Sequence, residues 1–283
     1  MAAGLTVMTA SLAAAQDEAA FKTLPEWDVV PVAHRGLAPG YPENTMAAFR
    51  NVIERGLTVI EVDLRGTADG EVVIMHDETV DRTTDGSGAV GELTYAEIAT
   101  LDAGSYADPK FAGEKVPTYA EVLDLAKDEG IVLLLDIKES PTLDRERIVR
   151  LTEERNALLN VIGGVRSVED LRTFRSLNPN IRLLGFIPEP EAIDAFAAAG
   201  IDIIRLWPRW INGEEIPASC EGRSGCLVER VHALGKPVWS TTNEAGREEL
   251  FALMQLGVNG FLTDVPDEMS ALMDDIEAFR AGN

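Results

Sequence analysis

Branched apolar runs alternate along this chain with stretches of helical period. The runs fall at residues 29–34, 58–64, 131–137, 161–165, 181–186, 201–206, 237–240 and 260–263, each of a length suited to a buried strand. Between them lie amphipathic segments such as "PENTMAAFRNVIERG", "TYAEVLDLAKDEG", "SVEDLRTFRSLNP", "EPEAIDAFAAAG" and "NEAGREELFALMQLG". Several open on Pro, Ser or Thr and close on Gly, the residues that start and stop helices. Eight strand-helix repeats, with a last helix from about Pro266, predict an α/β chain folded as a (β/α)8 TIM barrel over residues 27–283. A doubly wound open sheet is the competing arrangement, but no Gly-x-Gly-x-x-Gly follows the first strand.

In such a barrel the active site lies at the C-terminal mouth, and strand residues of alternating parity point inward. His34 and Arg35 end the first strand. Glu61 and Asp63 share parity near the end of the second, which turns Val62 and Leu64 toward the helices. Asp136 and Lys138 share parity at the end of the third. Charges buried there must be paired or must hold a cation. Asp69-Gly70 is a tight-turn signal between "DLRGTA" and "EVVIMHD", so the second strand is expected to rise above the barrel and fold back as a hairpin. A two-residue turn sets His76 opposite Asp63; a one-residue bulge would shift that pairing.

Three carboxylates (Glu61, Asp63, Asp136) without a thiolate suit one divalent cation, Ca2+ or Mg2+, rather than zinc. Arg35 and Lys138 offer positive charge to a phosphoryl group, and His34 and His76 can move protons near neutral pH. In-line displacement at phosphorus asks for such a set: a base, an acid and a cation.

Composition narrows the partners. The formal charge of -23 and pI near 4.4 count against nucleic acid and anionic membrane surfaces. No later run approaches the ~20 consecutive apolar residues of a spanning helix. Residues 1–15, "MAAGLTVMTASLAAA", end in Ala13-Ala14-Ala15 and resemble a signal peptide, although no Lys or Arg precedes them. A periplasmic or secreted protein is expected, and a cytoplasmic one otherwise. Cys220 and Cys226 in "CEGRSGC" are either a disulfide or two free thiols.

The blocks "AHRG", "PENTMAAF", "IEVDLRGTADGEVVIMHD", "DRTTDGSGAVGELTYAEIATLDAG", "KVPTYAEVL", "LLLDIK", "PVWSTTN" and "GVNGFLTDVPD" together resemble the glycerophosphodiester phosphodiesterase family, of the phosphatidylinositol phospholipase C-like superfamily. The likeness runs in order over nearly the whole chain after about Val29. It implies a metal-dependent barrel that cleaves glycerophosphodiesters to sn-glycerol 3-phosphate and an alcohol. His34 and His76 would be the acid/base pair, Arg35 and Lys138 phosphate contacts, and Glu61 and Asp63 metal ligands. Residues 77–117 would be the family's small insertion, which helps form the substrate cleft. One position departs from the pattern: Asp136 stands where the family usually has Glu, and its arm is shorter by ~1.5 Å. Asp136 is still assigned as the third ligand.

Other residues divide between duller and functional readings. Pro42 and Glu43 fit a helix start with Pro at N1, and Glu43 and Asn44 face the mouth as candidate substrate contacts. Trp239 is a candidate wall beside the substrate, or plain packing. Asp77 and Asp81 are candidates for supporting or loop-capping acids, and His232 reads as structural. The expected chemistry is attack of the glycerol 2-hydroxyl on phosphorus, with one histidine as base and the other as acid, then opening of the cyclic phosphate by water. Direct attack by water is the competing course. Lipid-directed phospholipase activity and a non-catalytic ligand-binding barrel are the rival functions. In the insertion Tyr106 and Phe111 are the large side chains that stand as candidates for a lipid-facing rim, which favours water-soluble diesters.

Overall fold

The computed structural model describes residues 29–37, 39–213 and 215–282. The expected leader, residues 1–15, lies outside them. Every strand expected from the apolar runs is present: β1 (Val30–Ala33), β2 (Val59–Gly66), β4 (Val132–Ile137), β5 (Val161–Val165), β6 (Arg182–Phe186), β7 (Ile203–Leu206), β8 (Val238–Asn243) and β9 (Gly260–Thr263). These eight are parallel and close on themselves, because β1 pairs with both β9 and β2. Helices occupy the connections, giving the (β/α)8 barrel.

A ninth strand, β3 (Val72–Ile74), is antiparallel and pairs with the upper part of β2. Its register corrects the expectation for His76. Leu64 faces Ile74 and Gly66 faces Val72, and the Met75 N–H donates to the Asp63 carbonyl at 2.9 Å, so Met75 rather than His76 lies opposite Asp63. The cause is the turn. Gly70 N–H reaches the Thr67 carbonyl at 3.1 Å, Thr67 N–H reaches the Glu71 carbonyl at 2.9 Å, and Gly70 sits at φ 79. That is a three-residue loop ending on a left-handed glycine, and the extra residue moves the register by one.

The parity of the sequence runs sorts side chains between two cores. Val62 and Leu64 join Phe49, Val122 and Ile148 in the layer between barrel and helices. Val32, Val59, Leu134, Ile162, Leu184, Ile203, Trp239 and Leu262 fill the barrel interior. Burying each Val or Leu contributes about 1.5–3 kcal/mol, so the rungs below the mouth form a packed floor rather than a pore. Helix starts are capped as the sequence suggests. Thr118 and Glu121 form a reciprocal capping box, and Ser167 accepts the Asp170 N–H at 3.0 Å. The first helix, Met46–Glu54, is the exception: Thr45 caps it, so Pro42 and Glu43 precede the helix instead of opening it. They lie in the approach loop because the Thr45 hydroxyl already meets the Ala48 N–H.

Between β3 and the Tyr119–Glu129 helix, residues 77–117 fold over the mouth around a small cluster of Val80, Val90, Ile98, Ala103 and Val116, joined by Val73 and Met75 of the hairpin arm. Cys220 and Cys226 are joined by a disulfide. No helix among the described residues is long and apolar enough to cross a membrane.

Candidate active site

Strand order brings the two N-terminal histidines together. β4 lies along one edge of β2 from Val59 to Leu64, leaving the other edge to β1, which ends opposite Ile60, and to β3, which descends opposite Leu64. β1 running up and β3 running down therefore deliver His34 and His76 to the same edge of β2, with the His34 ring approaching Glu61.

Each histidine is held by a carboxylate through Nδ1, leaving Nε2 for other work. His34 Nδ1 lies 2.5 Å from Asp264 Oδ1, and its Nε2 lies 4.0 Å from Glu61 Oε2. Burial opposes charging of His34, but the Asp264 hydrogen bond and the Glu61 carboxylate outweigh it, and its pKa is raised above the ordinary histidine value. His76 Nδ1 lies 2.8 Å from Asp77 Oδ1. The His76 carbonyl accepts from Arg65 Nε and Nη2 at 3.0 and 2.8 Å, so a buried arginine on the inward face of β2 pins that turn.

Glu61, Asp63 and Asp136 each present an oxygen within 4.8 Å of the others, and all three are buried. The shorter arm of Asp136 still reaches the group, because Asp63 and Asp136 are direct partners across β2 and β4. Burial first, and the Asp63 carboxylate second, push the Glu61 carboxyl well above the usual range. Such crowding of like charge, with hard oxygen donors only, is the environment that one divalent cation of the Mg2+ or Ca2+ kind fits. Lys138 Nζ lies 2.7 Å from Asp63 Oδ1 and 2.6 Å from Asp136 Oδ2. Arg166 Nη2 holds the other Asp136 oxygen. Burial disfavours ionised Asp136, but Lys138 and Arg166 outweigh it and lower its pKa.

Arg35 sits in the left-handed region at φ 55 and gives its N–H to Glu61 Oε2 at 2.9 Å. Its side chain reaches Glu43 Oε1 at 3.1 Å and approaches Asp63 at 3.6 Å. Gly36 follows at φ 65, and a Cβ there would meet the Phe49 ring at 2.5 Å. This explains the glycine after His-Arg: only that residue lets the chain turn tightly against the first helix. Asn44, at φ 56, donates from Nδ2 to Asp63 Oδ2 at 2.7 Å. Glu43 bridges Arg35 and Arg82, and Arg82 also grips Asp77 at 2.7 Å, so one run of ion pairs joins the β1 side of the mouth to His76. Trp239 is 5 % exposed and packs within the barrel interior, next to Arg205 in the register. Asp81 caps the loop at the Gly88 N–H, and His232 bonds Asn259 at 3.1 Å.

A family model for the glycerophosphoryl diester phosphodiesterase family matches residues 34–268. The chain belongs to that family. A glycerophosphodiester phosphodiesterase of Caldanaerobacter subterraneus subsp. tengcongensis is 33% identical over 246 residues, which cover 86% of this chain and 96% of that protein. Among solved structures, the glycerophosphodiester phosphodiesterase of Agrobacterium tumefaciens superposes with a TM-score of 0.72 at 26% identity, over 86% of this chain and 99% of its own. An Oleispira antarctica phosphodiesterase, solved in complex with the product sn-glycerol-3-phosphate, gives a TM-score of 0.73 at 22% identity over 90% and 99% of the two chains. The family assignment drawn from the sequence blocks and the barrel both stand, and the chain is a phosphodiesterase of this family.

All residues singled out at the mouth fall inside the matched span. Sequence reasoning missed four that the geometry adds: Asp264 on His34, Arg82 on Asp77 and Glu43, Arg166 on Asp136, and Arg65 on the His76 carbonyl. Asp264 follows β9 by one residue, and Arg65 shares parity with Glu61 and Asp63, so the strand-end rule could have found both.

Proposed function

We propose that this protein hydrolyses water-soluble glycerophosphodiesters to sn-glycerol 3-phosphate and an alcohol. The observation that carries the reading is the convergence at the mouth end of β2 of two carboxylate-held histidines, arriving on its β1 and β3 edge, with three buried acids and the side chains of Arg35 and Lys138. The product seen in the Oleispira antarctica phosphodiesterase supports the same reaction.

Glu61, Asp63 and Asp136 would hold a divalent cation, which when bound would offset phosphate charge and make an attacking hydroxyl more acidic. Arg35 and Lys138 flank these acids and bind the remaining phosphoryl oxygens, Arg35 from the β1 side and Lys138 from β4. Asp264 fixes His34 with Nε2 toward the Glu61 side, and Asp77 holds His76 through Nδ1, so each ring can hold or release one proton at Nε2. One takes the proton of the attacking hydroxyl and the other gives a proton to the departing alcohol. Asn44 and Glu43 keep Asp63 and Arg35 in place, and Trp239 forms the floor.

Soluble rather than lipid substrates fit the insertion. The Tyr106 hydroxyl is engaged by the Glu43 N–H at 2.9 Å, and Phe111 packs on Tyr41 beneath Lys110, so neither is a bare apolar anchor. Export is part of the proposal, and the Cys220–Cys226 disulfide supports it. The test is product analysis with a substrate pair that differs only at the glycerol 2-hydroxyl. Attack by that hydroxyl expects the 2-deoxy analogue to be inert; unimpaired turnover of the analogue would eliminate the cyclic course and leave attack by water.

A further inference from the structure

Arg205 takes no part in the roles above, yet it is the most enclosed cation of the mouth. It is 6 % exposed, and its Nε and Nη1 are buried with no hydrogen-bond partner among the described residues. Ile203, two residues earlier on β7, belongs to the barrel interior, so Arg205 points into the same space one rung higher. In the register it stands between Phe186 of β6 and Trp239 of β8. Its guanidinium lies 3.7 Å from the Trp207 ring centre and 5.2 Å from that of Phe186. Arg166 lies 5.0 Å from the same Phe186 ring. Gly164 leaves the room for that ring, since a Cβ there would fall 2.3 Å from it. Burial, and then the charge of Arg166, hold Arg205 down to a pKa of about 9.

A buried guanidinium with open N–H groups and a second cation nearby is costly unless an anion meets it. Of the metal-site acids only Asp136 acts on Arg205, and both its oxygens are already taken, by Lys138 and Arg166. In the closed strand order β7 is four positions from β2, on the far side of the mouth from Glu61 and Asp63. A diester whose phosphate lies over the acids would thus extend one of its two alcohols toward Arg205.

We propose that Arg205, backed by Arg166 and walled by Phe186 and Trp207, receives an oxyanion carried on the departing alcohol, so that the enzyme favours diesters with acidic head groups. This rests on the hydrolase reading above. A guanidinium matches carboxylate and phosphate alike. A quaternary ammonium is the wrong guest, because the aromatic rings that would cradle it already carry Arg166, Arg205 and Arg209.

The test compares kcat/KM for glycerophosphocholine, glycerophosphoserine and glycerophosphoinositol 4-phosphate in the wild type, Arg205→Gln and Arg205→Lys. The wild type should favour an acidic diester, and Arg205→Gln should lower the acidic-to-choline ratio about tenfold or more, with Arg205→Lys between them. The acidic substrate with the larger fall identifies carboxylate or phosphate as the guest. A second readout, calorimetric titration of inositol 4-phosphate into chelator-treated protein, should show weaker binding in Arg205→Gln. Equal losses on all three substrates, or no loss together with unchanged binding, would overturn the proposal. If no diester is hydrolysed the hydrolase reading fails, and the titration alone decides the subsite. Should Arg205→Gln not fold, Arg205→Met carries the same comparison without touching the residues around Asp136.

Discussion

Replacing Asp264 by Asn removes the charge that holds His34 and little else. The two groups meet at 2.5 Å, and both are largely shielded, with side-chain exposures of 15% and 22%. A hydrogen bond to a charged group is worth about 1.5–3 kcal/mol. If His34 is charged in the transition state and less so before it, that difference falls on kcat, about ten- to two-hundredfold at 1.36 kcal/mol per decade. KM should move little, because Asp264 touches no atom proposed to bind phosphate. The assay is steady-state release of glycerol 3-phosphate by Asp264→Asn, His34→Ala and the double variant, with thermal melting as the control for folding. Asp264 acts through His34, so the double variant should be no worse than His34→Ala alone. A near-normal kcat for Asp264→Asn in a folded protein, or losses that multiply in the double variant, would show that Asp264 does not act through His34.

Three further outcomes follow from the same geometry. Gly36→Ala should destabilise by about 2–4 kcal/mol, from the Phe49 overlap and the positive φ, lowering the melting midpoint by roughly 5–15 °C; an unchanged midpoint would show that Phe49 and the turn yield easily. Asp63→Asn should weaken Mg2+ or Ca2+ binding more than ~tenfold by calorimetry, since losses even outside the ligand shell reach that size; unaltered binding would remove Asp63 from the ligand set. Arg82→Gln should lower kcat about two- to fivefold, because it frees Asp77 and Glu43 at an exposed ion pair, and an unchanged kcat would confine Arg82 to the surface.

Period and parity made the barrel legible, because a branched run flanked by helical repeats has few other packings. Parity also placed Glu61 and Asp63 on one face, and it placed Asp136 beside Asp63 once β2 and β4 were neighbours. What it could not supply was register across a turn. Asp69-Gly70 promises a hairpin, but whether two or three residues form the loop depends on the Thr67 and Glu71 hydrogen bonds, and that choice moved His76 by one place. Arg82 was hidden for another reason. It comes from an irregular loop whose contacts have no period, so its grip on Glu43, 39 positions earlier, is a fact of folding alone. Arg166 and Arg205 obey strand parity, but they read as ordinary surface charges until the mouth is closed around them.

In the proposed reaction His34 and His76 move the protons of glycerophosphodiester hydrolysis. The most direct test of that role is the rate of sn-glycerol 3-phosphate release by the wild type, His34→Ala and His76→Ala, each confirmed to be folded. Each substitution should cost ~10²-fold or more in kcat, the usual worth of a positioned acid or base. Turnover that survives in both variants would contradict it.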